Sequence, residues 1–243
     1  MDPIKGFDIA SGEWGSRRLM KTYFQVLAAL LWKEFTCEVR RKEMFPSMLI
    51  FSSVILILFY FTLASHGQFE AALTAAIIWV TFAFAGILGL NRSLALEQEP
   101  GLMDGLLLAP VDRSVFFVSK ILANWLVMIL LGLVFIPMVQ MFFGSIMLSP
   151  AFLLVVLLGT LGYAVTGSLL AGMAMQSRMK DTLLSVLLFP VILPLLLAAV
   201  KASSGLFHQL QPGEIVPWIQ FMLVYDVIFF AIGLMTYPAL LED

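Results

Sequence analysis

Long apolar runs alternate with short polar intervals along this 243-residue chain, and the runs show neither helical amphipathicity nor strand alternation. FSSVILILFYFTL and LLSVLLFPVILPLLLAAV are apolar on every face. A helix needs about 20 such residues to cross a hydrocarbon core. The pattern predicts six spans, at 44–64, 70–90, 115–143, 151–175, 182–200 and 216–240. A transmembrane β-barrel would instead show segments of about 10 residues in apolar–polar alternation, and none is present. The expected fold class is therefore an all-α integral membrane protein with six transmembrane helices.

Ahead of the first span, Met20, Phe24, Leu27, Leu31 and Phe35 recur at helical spacing, which places them on one stripe. Lys21, Lys33, Arg40, Arg41 and Lys42 surround the stripe, and Trp32 suits the headgroup zone. Residues 20–42 thus read as an interfacial amphipathic helix, residues 1–19 as a polar N-terminal extension, and residues 43–243 as the six-span domain. The polar start lacks the short apolar region and small-residue cleavage site of a signal peptide, so the first span is expected to stay in the mature chain.

Charge adds orientation. Composition is 61% hydrophobic and 12% charged, with a mean hydropathy of +0.99, too little polar surface for a soluble globule of this length. Of the 14 Lys and Arg, 13 precede the first span or fall around the second-to-third and fourth-to-fifth connections; only Lys201 falls in the remaining ones. The positive-inside rule then puts both termini in the cytoplasm.

Candidate chemistry is sparse. The single Cys37 excludes an intramolecular disulfide, and His66 and His208 lie far apart in loops, so neither a cofactor nor a metal site is expected. HExxH, GxSxG and CxxC are absent, and Gly-Lys never occurs, which rules out a P-loop of the form GxxxxGK[ST]. The chain reads as non-catalytic, and nothing in it points to nucleic acid. Asp226, in FMLVYDVIFFAIGL, is the one carboxylate inside a span. Such a group is a functional candidate by default, with a structural or gating contact and direct proton or substrate handling as its two readings. In the fourth span Gly159, Gly162, Gly167, Ala171 and Gly172 are expected to let helix backbones approach closely. In the fifth, Pro190 and Pro194 are expected to bend the helix.

One polar interval stands out. ALEQEPGLMDGLLLAPVDR, residues 95–113, packs four carboxylates, two Gly, two Pro and an Arg between two spans. Within it GLMDGLLLAP predicts a short helix stopped by Pro110, with Glu97 and Glu99 before it. A helix this short needs a surface to lie on, either the membrane or another protein's groove.

The stretch LALEQEPGLMDGLLLAPVDRSVFFVSKILANW resembles six-span ABC exporter permeases of the ABCG-like architecture. LGTLGYAVTGSLLAGMAMQSRMKDTLLSVLLFPVILPLLLAAV and the closing Tyr225-Asp226 and Tyr237-Pro238-x-Leu-Leu-Glu are similar to the CcmB, or heme exporter protein B, family of bacterial cytochrome c maturation. The resemblance runs from about residue 22 to the end. It implies a permease of the inner (cytoplasmic) membrane that works with a CcmA-like ATPase, with CcmC-like and CcmD-like membrane subunits, and functionally with a CcmE-like heme chaperone. Heme is then a substrate of the complex. It also implies that the connection 91–114 meets the ATPase: Arg92, Glu97, Glu99, Asp104, Asp112 and Arg113 as rim contacts, Leu102, Leu106 and Leu107 as apolar anchors, with Gly101, Gly105 and Pro110 completing the set. A permease of another six-span exporter, for lipid, polysaccharide or drug, shares this loop logic.

Overall fold

The computed structural model describes residues 31, 44–64, 70–97, 113–144, 149–175 and 180–240. Among these, every regular element is an α-helix: α1 (Met44–Ala64), α2 (Ala71–Glu97), α3 (Arg113–Phe143), α4 (Pro150–Met175), α5 (Lys180–Phe207) and α6 (Pro212–Leu240). All six are long and apolar enough to cross a membrane. The reason for helix throughout is that a bilayer offers backbone N–H and C=O groups no partner, so a span must satisfy them internally. Hydroxyls follow the same rule. Ser52, Thr62, Thr160 and Thr236 each donate to the carbonyl four residues back, at 2.7–2.8 Å.

The six expected spans are all present, but two run about a turn or two further than hydropathy suggests. α2 continues past residue 90 to Glu97, and α5 past residue 200 to Phe207. In α5 the extension is held by packing: Ala202 and Ser203 are buried, and the Trp79 indole of α2 donates to Ser203 Oγ at 2.9 Å. The helix then stops in a Schellman motif. Leu210 N donates to Gly205 O and Gln209 N to Leu206 O, at 2.9 and 3.1 Å, with Gln209 at φ 54°. Pro212 opens α6 two residues later, where its missing N–H costs nothing. The α5–α6 connection is therefore a tight turn where a 15-residue loop was expected.

α4 is the axis of the bundle. It packs against α2, α3, α5 and α6, and α1 leans on α2 and α3 from outside. Within the apolar windows, 67% of α4 and 61% of α2 is buried, against 22% for both α1 and α6. The exposed Ile50, Val54, Leu58 and Phe61 of α1 and Leu223, Val224, Val227 and Ile228 of α6 suit lipid or neighbouring spans. Aromatic pairs tie the helix ends: Tyr60 of α1 meets Phe142 of α3 edge-on at 5.1 Å, and Phe152 of α4 meets Phe207 of α5 at 5.1 Å.

The glycines of α4 do something other than bring backbones together. Three of them receive a large side chain: the Trp79 ring lies where a Gly159 Cβ would be, Asp226 where Gly162's would be, and Leu90 where Gly167's would be. Tyr163 is seated in the same way on Gly86 of α2, and its hydroxyl donates to Ala83 O at 2.8 Å. Interlocking of this kind fixes helix register. The Trp79–Ser203 bond belongs to it, and S203A is expected to cost about 0.5–2 kcal/mol, the range of interhelical hydrogen bonds in membranes. A wild-type midpoint in detergent unfolding would show that the bond contributes nothing net.

Candidate functional site

Two regions carry the sequence's candidate residues. The first is the gap between α2 and α3. Of the twelve residues proposed there, the structure places Arg92, exposed near the end of α2, and Glu97 and Arg113 as the last residue of α2 and the first of α3. Glu97 thus closes α2 rather than standing in the connection. Glu99, Gly101, Leu102, Asp104, Gly105, Leu106, Leu107, Pro110 and Asp112 lie outside the described residues, as do the helix 20–42, Cys37 and His66. Lys120 is buried in α3 two turns from its start.

The helices that flank this gap are long. α2 has 27 residues and α3 has 31, so at 1.5 Å per residue they reach about 40 and 46 Å, well beyond a hydrocarbon core of about 30 Å. Consecutive spans run in opposite directions, so the end of α2 and the start of α3 emerge together. Both are clamped onto the axis: α2 through Trp79–Ser203 and Tyr163–Ala83, and α3 through Asn124 Nδ2 donating to Ser168 Oγ of α4 at 3.0 Å. Trp125 adds a donation to Leu157 O and Thr160 Oγ1, each at 3.2 Å.

The second region lies inside the bundle, where α4, α5 and α6 meet. Tyr225 of α6 donates to Val191 O of α5 at 3.1 Å. Val191 lies in the turn before Pro194, whose missing N–H leaves the carbonyl of Pro190, four residues back, without its helical donor. A phenol has one proton to give, so the 3.1 Å contact between Tyr225 and Thr166 of α4 has the threonine as donor. Beside it Asp226 is 5% exposed. Its carboxyl does not bond to Tyr225; it lies against Gly162, with Cγ 3.3 Å from the place of a glycine Cβ.

Sequence reasoning found Asp226, Gly162 and Pro194 singly but not their convergence, and it passed over Tyr163, Thr166, Ser168 and Asn124. The signal available was the run of hydroxyls between the glycines, Thr160, Tyr163, Thr166 and Ser168, all buried on α4. His208 stands exposed in the α5–α6 turn, and among the described residues no three His, Cys, Asp or Glu side chains converge as metal ligands would. What the whole arrangement offers is mechanical: two protruding helices keyed to a central one, with a polar junction at its far side.

The family model described as CcmB protein matches residues 25–240, which takes in all six helices and the connection between α2 and α3. The chain belongs to the CcmB family. Heme exporter protein B of Pseudomonas aeruginosa is 25% identical over 195 residues, covering 80% of this chain and 87% of that one. The protein of the same name from Rhodobacter capsulatus is 29% identical over 175 residues, 70% and 79% of the two chains. That of Paracoccus denitrificans is 28% identical over 181, 72% and 81%. The similarity is thus to whole CcmB proteins and not to a shared hydrophobic segment. It leaves residues 1–24 of this chain unmatched by the family model.

Proposed function

We propose that this chain is the permease subunit of an ABC-type complex that handles heme for cytochrome c maturation in the bacterial inner membrane, with both termini cytoplasmic. The observation that carries the proposal is the CcmB match along nine-tenths of a six-span bundle, residues 25–240. Since the sequence has no P-loop, ATP hydrolysis falls to a separate, CcmA-like subunit, and CcmC-like and CcmD-like subunits complete the assembly. The chain itself carries out no covalent chemistry.

Coupling runs through the connection 91–114. An ATPase pair closing on ATP shifts the short helix 101–109, with Leu102, Leu106 and Leu107 as its apolar anchors and Arg92, Glu97, Glu99, Asp104, Asp112 and Arg113 around them. α2 and α3 transmit the shift as levers, because each is continuous from the connection to the clamps on α4 and α5. The output is release or transfer of heme, or of a heme-loaded CcmE-like chaperone.

Affinity purification of the chain in mild detergent tests this reading. The expected co-purifying set is one ATPase subunit together with heme-handling membrane proteins. Recovery of the ATPase of a lipid, polysaccharide or drug exporter in their place would overturn it.

A further inference from the structure

One group in the junction of α4, α5 and α6 has no part in the coupling scheme. Asp226 is 95% enclosed, and neither of its carboxyl oxygens has a hydrogen-bond partner among the described residues. Its neighbour Tyr225 is turned away, committed to Val191 O and Thr166. From α4 the carboxyl meets Gly162, where Oδ1 occupies the position a Cβ would take, and Leu195 of α5 brings its Cδ2 within 2.7 Å of that same position.

The other titratable side chains described on these helices face elsewhere. Tyr163 points to α2, Lys201 and Glu214 are exposed, and Tyr237 stacks near Phe117 of α3 at 4.9 Å. Lys120 of α3 stands three residues from Phe117, whose ring meets Gly233, two turns along α6 from Asp226.

An ionised carboxylate in such surroundings has no hydrogen-bond donor or counter-charge among the described residues to replace its hydration, and a group so placed either pairs or becomes neutral. Gly162 and Leu195 close that side too tightly for a hydrated cation. A proton is the one counter-charge that fits without moving a helix. We propose that Asp226 is a proton-binding site of the bundle: its carboxyl carries a proton while α6 is seated on Gly162, and yields it to water when α6 parts from α4.

In that step the carboxyl O–H bond breaks, the proton passes to water admitted to the junction, and the carboxylate left behind is hydrated. Gly162 is what makes the site possible, because any side chain there would displace the carboxyl. Pro190 and Pro194 lie within α5, the third wall, and each withholds one N–H from the helix's own hydrogen bonds. Any cycle that separates α4 from α6 therefore exchanges one proton per opening, whatever cargo the complex handles.

Infrared difference spectroscopy of the full chain with its associated subunits in lipid nanodiscs reads the proton itself. Wild type minus D226N at neutral pH is expected to show the C=O stretch of a neutral carboxylic acid, shifted in D2O and lost in the variant. The paired stretches of a carboxylate in its place would overturn the proposal. Should D226N fail to accumulate, wild type labelled with 13C-aspartate gives the same answer, since the other six aspartates lie in polar segments: a labelled acid band supports the site and its absence overturns it. G162A should shift or abolish the band, and a band unchanged in G162A would contradict the seat on Gly162.

Discussion

A chain carrying Gly105→Asp and Leu106→Asp is expected to insert and accumulate as wild type does, yet to leave mild-detergent purification without its ATPase subunit. The argument is one of desolvation. If Leu106 anchors the helix 101–109 in an apolar groove, replacing it removes a contact of the kind that costs 2 kcal/mol or more when truncated. Two added carboxylates must also be dehydrated on docking, at a further cost of about 1–3 kcal/mol each when unpaired. A combined loss of about 4 kcal/mol is roughly a thousandfold in affinity, enough to empty a pull-down. The same substitutions in a solvated loop would cost almost nothing. Co-purified ATPase equal to wild type would therefore remove the connection from the coupling scheme while leaving the family assignment untouched.

Gly159→Ala and Gly86→Ala are expected to produce the largest losses of stability among single-methyl additions to the bundle. At Gly159 the new methyl would occupy space already filled by the Trp79 ring. At Gly86 it would fall on the Tyr163 ring, 2.8 Å from the hydroxyl oxygen. Neither ring can step aside without breaking its hydrogen bond, to Ser203 Oγ and to Ala83 O respectively. Overpacking of this kind costs about 1–3 kcal/mol, before the lost hydrogen bond is counted. Gly213, at the start of α6, has nothing within 4 Å of the Cβ position, so G213A is the matched control and should lie within about 0.5 kcal/mol of wild type. Unfolding midpoints in detergent would rank the three, and equal midpoints would mean that α4 is not interlocked with α2 as described.

Much of the fold was legible in the sequence because lipid imposes a simple code: apolar length gives a span, and the backbone must then be helical. The ends were less so. NRSLALE after residue 90 and KASSGLF after residue 200 read as connecting segments because hydropathy falls, yet both remain helical. In α5 the cause is a partner on another helix, Trp79, which hydropathy along one segment does not register. The glycines of α4 were visible as close-packing positions, but whether they face a backbone or a tryptophan depends on which helix lies opposite. Lys120 fell inside the third span expected at 115–143, but that its side chain is buried there depends on what packs against α3.

The site divides along the same line. Asp226 stood out by chemistry alone, as a carboxylate in an apolar run. That Tyr225 reaches Thr166 and Val191 while Asp226 reaches neither of them is a matter of long-range packing, in which Asp226 takes the hollow at Gly162. The connection 91–114 is the reverse case: its composition singled it out, and the role proposed for it rests on the family match rather than on any geometry of its own.

The heme-stained profile of c-type cytochromes, taken from cells lacking this chain and from cells complemented with it, tests the central claim most directly. The account predicts that covalently bound heme disappears on deletion, returns with the wild-type chain and stays absent with the Gly105→Asp, Leu106→Asp chain. An undiminished set of c-type cytochromes in the deletion strain would contradict it.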